Sequence, residues 1–383
     1  MDVIYMDNAA TTWPKPEVVY QAIDNFNRNL GANPGRGSHK RTLEAGMVLL
    51  DTREALARLF NIADSCQIVY TANVTEALNL GIKGLLQRGD HVITTSMEHN
   101  SVARPLYSLQ AQGVIKLTIV SCRPDGTLNP HDIQAAIQSN TRLIVMMHAS
   151  NLTGTIMPIK EVGNIARQHG IPFMVDSAQT AGVLPIDVEK DAIDLLAFTG
   201  HKGLLGPQGT GGLYIQPGIE LRHLKEGGTG SFSDLLEQPT VLPDRYESGT
   251  QNGPGIAGLG AGVNYILERG LLNIRAHEQH LTNLLLNGLA QIPEVIIYGP
   301  RNIELQTAVV SINIAGMDCG ELSMYLDHEY GIITRSGLHC TPLAHRTIGT
   351  LDLGTCRLSP GLFSTETDIE KVIKAVHTIA RLP

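Results

Sequence analysis

No run of this sequence approaches the roughly 20 apolar residues needed to cross a bilayer as a helix, so no membrane anchor is expected. The N-terminal string MDVIYMDNAATT lacks a basic stretch followed by an apolar core, so a secretory leader is not expected and cytosolic residence is. Basic residues are not in excess: 29 Lys and Arg stand against 37 Asp and Glu, a net charge of −8. That balance argues against a nucleic-acid surface, which carries a basic patch. Cysteine is scarce. The five thiols, Cys66, Cys122, Cys319, Cys340 and Cys356, are odd in number and show no CxxC spacing. A disulfide framework and a structural metal site are therefore both disfavoured, and each thiol starts as a small free hydrophobe. Internal repeats, low-complexity segments and runs of like charge are also missing.

What remains is an ordinary globular composition of 43% hydrophobic and 17% charged residues over 383 positions. That length accommodates two domains. Helical patterns at Thr42–Phe60, Glu76–Leu86, His131–Ile137 and Lys160–His169 alternate with short apolar runs. The runs are Gln67–Thr71, His91–Thr95, Ile115–Val120, Leu143–Met147, Phe173–Val175, Leu195–Phe198 and Gly212–Ile215. They are mostly unalternating, as strands covered on both faces should be. This alternation implies an α/β fold with a large, mainly parallel sheet. After about residue 255 the pattern changes to two helical stretches, Gly255–Arg269 and Leu271–Leu289. A strand at Thr307–Ile314, a helix at Gly320–Tyr330, strands near Ile332–Arg335 and Cys356–Ser359, and a last helix from Thr367 follow. The expected organisation is a large α/β domain over residues 15–255 and a smaller α+β domain over 256–383 with residues 1–14. The Gly-rich stretch Gly249–Gly258 is the expected hinge.

Ligands of open α/β sheets bind beyond the carboxyl ends of the strands, and there the apolar runs end in reactive chemistry. Val175 runs into Asp176-Ser177-Ala178-Gln179, and Phe198 into Thr199-Gly200-His201-Lys202. Met147 leads to His148-Ala149-Ser150-Asn151, and Thr95 to Ser96-Met97-Glu98-His99. A lysine at a strand end can form a Schiff base with an aldehyde cofactor, and a carboxylate such as Asp176 can keep a pyridinium nitrogen protonated. Thr75 opens a helix directly after a strand, where free backbone amides favour a phosphate. Taken singly, each residue has a plainer explanation, as a helix cap, a structural histidine or a solvated lysine. Their succession in chain order at strand termini favours a site.

Thr199-Gly200-His201-Lys202, followed by Gly203 and then Gly206-Pro207, resembles the class V aminotransferases. Within that class the chain is similar to the SufS-like cysteine desulfurases. The marks are Tyr5-Met6-Asp7-Asn8-Ala9-Ala10-Thr11-Thr12, Thr75-Glu76-Ala77-Leu78-Asn79, Glu98-His99-Asn100, Ser150-Asn151 with Gly154-Thr155, Val175 to Gln179, Glu247-Ser248-Gly249-Thr250, Arg335-Ser336-Gly337-Leu338-His339-Cys340 and Cys356-Arg357. The resemblance spans residues 5 to about 360. It implies the fold type I architecture of pyridoxal-phosphate transferases and pyridoxal 5'-phosphate as cofactor. Lys202 would carry the cofactor as a Schiff base, Asp176 would face its ring nitrogen, Gln179 its phenolic oxygen, and His99 would stack on the ring. Thr75, Thr199 and His201 would hold the phosphate, joined by Thr250 from the partner subunit, which implies an obligate homodimer. Arg357, helped by Asn151, would grip the substrate carboxylate, and Arg335 is counted with them as substrate-binding.

Cys340 lies between Gly337 and Pro342, a turn composition that favours exposure, and Arg335 and His339 are near enough in sequence to favour its thiolate. The implied reaction converts L-cysteine to L-alanine and leaves the sulfur on Cys340 as a persulfide, for a sulfur-acceptor protein serving iron–sulfur cluster or thio-cofactor assembly. Selenocysteine lyase, C–S lyase or another class V reaction are alternatives within the class, and a non-catalytic scaffold is one outside it. Leu338 stands where SufS-type enzymes usually have a second histidine, Asn100 replaces the histidine of Glu-His-His, and Leu343–Leu353 is insertion-like.

Overall fold

The computed structural model describes residues 3–34, 37 and 39–382. Residues 1, 2 and 383, at the outer ends of the expected small unit, lie outside them. Strand β1 (Ile4–Tyr5) leads to helices α1 (Glu17–Asn25) and α2 (Lys40–Phe60). Strands and helices then alternate through β2 (Ile68–Thr71), α3 (Val74–Leu85), β3 (Asp90–Thr95), α4 (Asn100–Ala111), β4 (Ile115–Val120) and α5 (Pro130–Ala135). They continue through β5 (Thr141–Met147), α6 (Ile159–Gln168), β6 (Phe173–Asp176), β7 (Leu195–Thr199) and β8 (Gly211–Ile215).

The strands β2 to β8 form one seven-stranded sheet in the order β2-β8-β7-β6-β5-β3-β4. Only β8 runs antiparallel to its neighbours, which leaves the other six strands pointing the same way. Their unalternating sequences follow from burial on both faces: Leu196, Phe198, Ile144 and Val175 face one core, and Leu195, Ala197, Val145 and Met174 the other. The mainly parallel α/β fold expected from the sequence is therefore present, and six strand carboxyl ends share one edge.

The remainder comprises α7 (Gly253–Arg269), α8 (Leu271–Leu289), β9 (Val295–Tyr298), β10 (Val310–Ile314), α9 (Cys319–Tyr330), β11 (Ile332–Ile333), β12 (Arg335–Gly337), α10 (Pro342–Ile348), β13 (Thr355–Leu358) and α11 (Glu366–Ile379). An antiparallel sheet in the order β12-β13-β10-β9 shares a separate core with α8, α9 and α11. Strand β1 pairs in parallel with β11, which brings the N-terminus onto this second unit.

The glycine-rich stretch expected to be a hinge is instead largely the first turns of α7. A Cβ on Gly253 would lie 2.4 Å from the Phe26 ring, and one on Gly260 2.2 Å from Thr52 Oγ1. These glycines let α7 lie directly against α1 and α2. Ile256, Leu259, Val263 and Ile266 of α7, with Ile274 of α8, join the core of the large sheet.

Candidate active site

The carboxyl ends of β2, β3, β5, β6 and β7 surround a cavity of about 180 Å³, lined among others by Thr75, His99, Asn151, Asp176, Gln179, Thr199, His201 and Lys202. Each arrives there for a local reason. Asp176 is the last residue of β6, and its Oδ1 accepts from the Ala178 backbone N–H at 2.9 Å. Thr199 ends β7 and is 1% exposed. Thr75 stands in the first turn of α3, beside Asn73, whose side chain caps that helix. Gly211 makes this cap possible, because a Cβ there would meet the Asn73 backbone at 2.8 Å. His99 caps α4 in turn: its Nδ1 accepts from the Ser101 N–H at 3.1 Å, which leaves the ring proton of the neutral imidazole on Nε2.

The electrostatics differ sharply from those of exposed groups. Burial, reinforced by the Arg357 charge, pushes the Lys202 amine down to about 8, while Asp176 pulls it the other way. Burial raises the Asp176 carboxyl against the opposing pull of Lys202. The imidazoles of His99 and His201 are both pushed to about 4, by burial first and by the Lys202 charge second. Near neutral pH both rings are therefore uncharged.

This donor set fits pyridoxal phosphate. The amine that must condense with an aldehyde and the carboxylate that must meet a pyridine nitrogen line one cavity. The first amides of the twelve-residue α3 open onto the same cavity, where they favour a phosphate. His201 Nδ1 is buried and has no hydrogen-bond partner among the described residues, as expected of a group whose partner is a ligand.

The remaining expected residues lie around this centre. Arg357 is 1% exposed and pairs with Asp7, Nη2 donating to Oδ1 at 2.6 Å, while Nη1 donates to the Asn151 carbonyl at 3.0 Å. Among the described residues its Nε has no hydrogen-bond partner. Thr250 is exposed and lies outside the lining of the cavity, its Oγ1 accepting from Asn33 Nδ2 at 3.4 Å.

Cys340 is exposed, and Arg335 Nη2 approaches its Sγ to 3.8 Å. His339 and Cys340 both have left-handed backbones, with φ of 47° and 59°. Non-glycine residues held there cost roughly 1–3 kcal/mol each and persist only where their surroundings fix them. Here Asn151 Nδ2 donates to the His339 carbonyl at 2.8 Å, and the Asn100 N–H to the Cys340 carbonyl at 2.9 Å. The expectation that His339 assists the thiol is not met. Its ring is 3% exposed and turned inward, Nε2 lying 3.0 Å from the Thr355 carbonyl, and burial pushes it to about 3. Arg335 is the cation beside the sulfur.

Three participants were not singled out from the sequence. Ser101 Oγ links Thr75 Oγ1 at 2.8 Å to His99 Nδ1 at 2.9 Å. Asp7 supplies the carboxylate on Arg357. Glu98 is fully buried below Asp176, accepting from Thr95 Oγ1 at 2.6 Å, and burial lifts it to about 8, so it is mostly protonated at neutral pH.

The family model for aminotransferase class-V matches residues 4–372. The chain is 36% identical to a protein of Methanothermobacter thermautotrophicus named "Probable cysteine desulfurase", aligned over 99% of this chain and 95% of that one. It is 31% identical to the cysteine desulfurase of Escherichia coli O157:H7, over 100% of this chain and 94% of that protein. Its structure is similar to that of the apo cysteine desulfurase from Thermococcus onnurineus, with a TM-score of 0.90 and 34% identity over 99% of this chain and 95% of the other.

Proposed function

This chain belongs to the aminotransferase class-V family, and from that membership and its site we infer that it is a pyridoxal-phosphate-dependent cysteine desulfurase. It converts L-cysteine to L-alanine, and Cys340 takes the sulfur. The observation that carries this reading is the coupling of two centres. A cavity shared by Lys202 and Asp176 is tied through Asn151 to the turn that exposes Cys340.

Pyridoxal phosphate, when bound, supplies an aldehyde carbon for the substrate amine and a ring that withdraws electrons from the substrate Cα. Lys202 would hold the cofactor, and its free amine would move the substrate Cα proton. Asp176 would keep the ring nitrogen protonated, because a charged carboxylate in this dry setting favours a cation opposite it. Neutral His99 would pack on the ring and Gln179 would serve its phenolic oxygen. Thr75, Thr199 and His201 would hold the phosphate. Arg357 and Asn151 fix the carboxylate of L-cysteine. Cys340, with the Arg335 guanidinium 3.8 Å from its sulfur, then attacks the substrate sulfur as a thiolate. An S–S bond forms as the C–S bond breaks, and protonation of the released fragment completes alanine. Cys340 is left as a persulfide, and a thiol of an acceptor protein takes its outer sulfur.

Two further assignments rest on the same reading. Thr250, exposed and outside the lining of its own cavity, completes the phosphate cradle of a second copy in a homodimer. The need to keep Cys340 reduced between turnovers suits a cytosolic enzyme serving iron–sulfur cluster or thio-cofactor assembly. Among the described residues no helix is long and apolar enough to cross a membrane.

Purified protein given L-cysteine and a reductant is expected to form alanine and sulfide in equal amounts. Alanine without sulfide, or pyruvate in its place, contradicts the proposal. Arg357→Ala is expected to raise KM for L-cysteine by roughly 10–150-fold, the equivalent of the 1.5–3 kcal/mol of a charged hydrogen bond, with kcat changed much less. An unaltered KM would mean that Arg357 serves only Asp7.

A further inference from the structure

We propose that His345 is a positioning residue for the sulfur-accepting thiol, its ring forming the shelf on which the left-handed His339-Cys340 turn rests. The inference builds on the reading of Cys340 given above. His345 lies in α10. Its ring packs nearly parallel to that of His339, with centroids 5.9 Å apart and planes 19° apart. It is fully buried, and its Nδ1 lies 2.7 Å from Thr350 Oγ1. The Thr350 N–H returns to the His345 carbonyl at 2.8 Å, so ring and backbone are held by one residue.

The shelf is anchored on the cofactor side of the molecule. Thr347 Oγ1, on α10, donates to the Ser96 carbonyl at 3.1 Å, directly beyond β3. Ala344 is packed into the core of the large sheet. On its other face the His345 ring supports His339, and from there the chain passes directly to Cys340. The Asn151 and Asn100 hydrogen bonds fix the carbonyls of this turn, while the His339 ring meets the Thr355 carbonyl and the His345 ring.

Among the described residues neither His345 Nε2 nor His339 Nδ1 has a hydrogen-bond partner of normal geometry, the Leu338 backbone being the polar group that acts on the His345 ring besides Thr350. Burial keeps both rings neutral. Their contribution is thus one of shape: two flat, uncharged rings filling the space beneath an exposed nucleophile. Removing the lower ring leaves room for His339 to sink and for Cys340 to leave the line of attack on the substrate sulfur. Lys202, Asp176 and the phosphate cradle are untouched by such a shift.

The test compares holoenzyme carrying His345→Ala, His345→Phe and Thr350→Val, with Cys340→Ser as reference. His345→Ala is expected to lower kcat by about 10–100-fold, the loss typical of a reacting group misplaced by about 1 Å. KM for L-cysteine, cofactor absorbance and the spectral change on adding L-cysteine should stay as in the parent. His345→Phe, which keeps a flat ring without the Thr350 bond, should recover most of kcat, and Thr350→Val should fall between. The rate of Cys340 alkylation by iodoacetamide should change with kcat across the series. Unchanged kcat in both His345→Ala and Thr350→Val overturns the inference, as does a loss of cofactor in step with kcat or a failure of phenylalanine to rescue. Should the alanine variant not fold, Thr350→Val and His345→Phe carry the same comparison. If Cys340→Ser still forms alanine at the parental rate, the reading of Cys340 fails and the inference with it. If Cys340→Ser is inactive and the other variants match the parent, only the inference fails.

Discussion

Replacing Lys202 by alanine is expected to abolish alanine formation from L-cysteine and to leave any cofactor held only by non-covalent contacts. Two losses combine. The amine is the only group in the cavity lining able to bond covalently to an aldehyde, and it is the base for the substrate Cα proton. The proton-transfer role alone is worth roughly 10²–10⁴-fold. Absorbance after gel filtration and a discontinuous alanine assay check both, and retained turnover would contradict the assignment. The environment of this lysine adds a pH signature. With the amine pushed to about 8, cofactor-free protein has a useful neutral fraction near pH 7. An ordinary lysine near 10.4 would be neutral about once in 2,500 molecules there. The rate of cofactor uptake should therefore climb as pH rises toward 8 and level off above it. Folding disfavours the proton on this group, so its burial penalty on the cofactor-free protein is complete below about 8 and disappears as pH approaches the unfolded value near 10.5. Lys202→Met should stabilise cofactor-free protein at neutral pH, and the gain should vanish above pH 10.5.

Cys340→Ser should retain the cofactor and its absorbance, bind L-cysteine with a normal spectral response, and lose alanine formation by roughly 10²-fold or more. A hydroxyl near neutral pH has essentially no anionic fraction, whereas a thiol has a few per cent and is intrinsically more nucleophilic. Arg335→Ala should weaken the same step less, because it removes a charge 3.8 Å from the sulfur and leaves the sulfur itself in place. Steady-state alanine formation measured beside cofactor spectra separates the outcomes. Parental activity in Cys340→Ser would move the reaction toward sulfur release without a protein nucleophile, as in a lyase.

The large sheet was legible because doubly buried strands write themselves as short unbroken apolar runs, and their reactive ends follow from the parallel topology. The chemistry at Asp176 and Lys202 was readable for the same reason, each lying at or just beyond a strand terminus. Features built by distant residues were not. The partner of Arg357 is Asp7, 350 positions away, and no local pattern marks that pair. Helix α4 carries Pro105 in its interior and opens with a histidine cap, so both its start and its continuation were masked. The glycines of α7 read as flexibility because their use is close packing against α1 and α2, which only tertiary structure shows. Proximity in sequence misled at His339: a left-handed turn sends its ring inward while the next residue, Cys340, faces out. The short helix α10 was not legible as a helix, since seven residues opened by proline offer little helical periodicity.

The most direct measurement is the mass of the peptide containing Cys340 after one equivalent of L-cysteine reacts with holoenzyme in the absence of reductant. One added sulfur on Cys340, in step with one alanine per site, is the predicted result. Alanine formed with Cys340 unmodified, or with the sulfur on Cys66, Cys122, Cys319 or Cys356, would contradict the account.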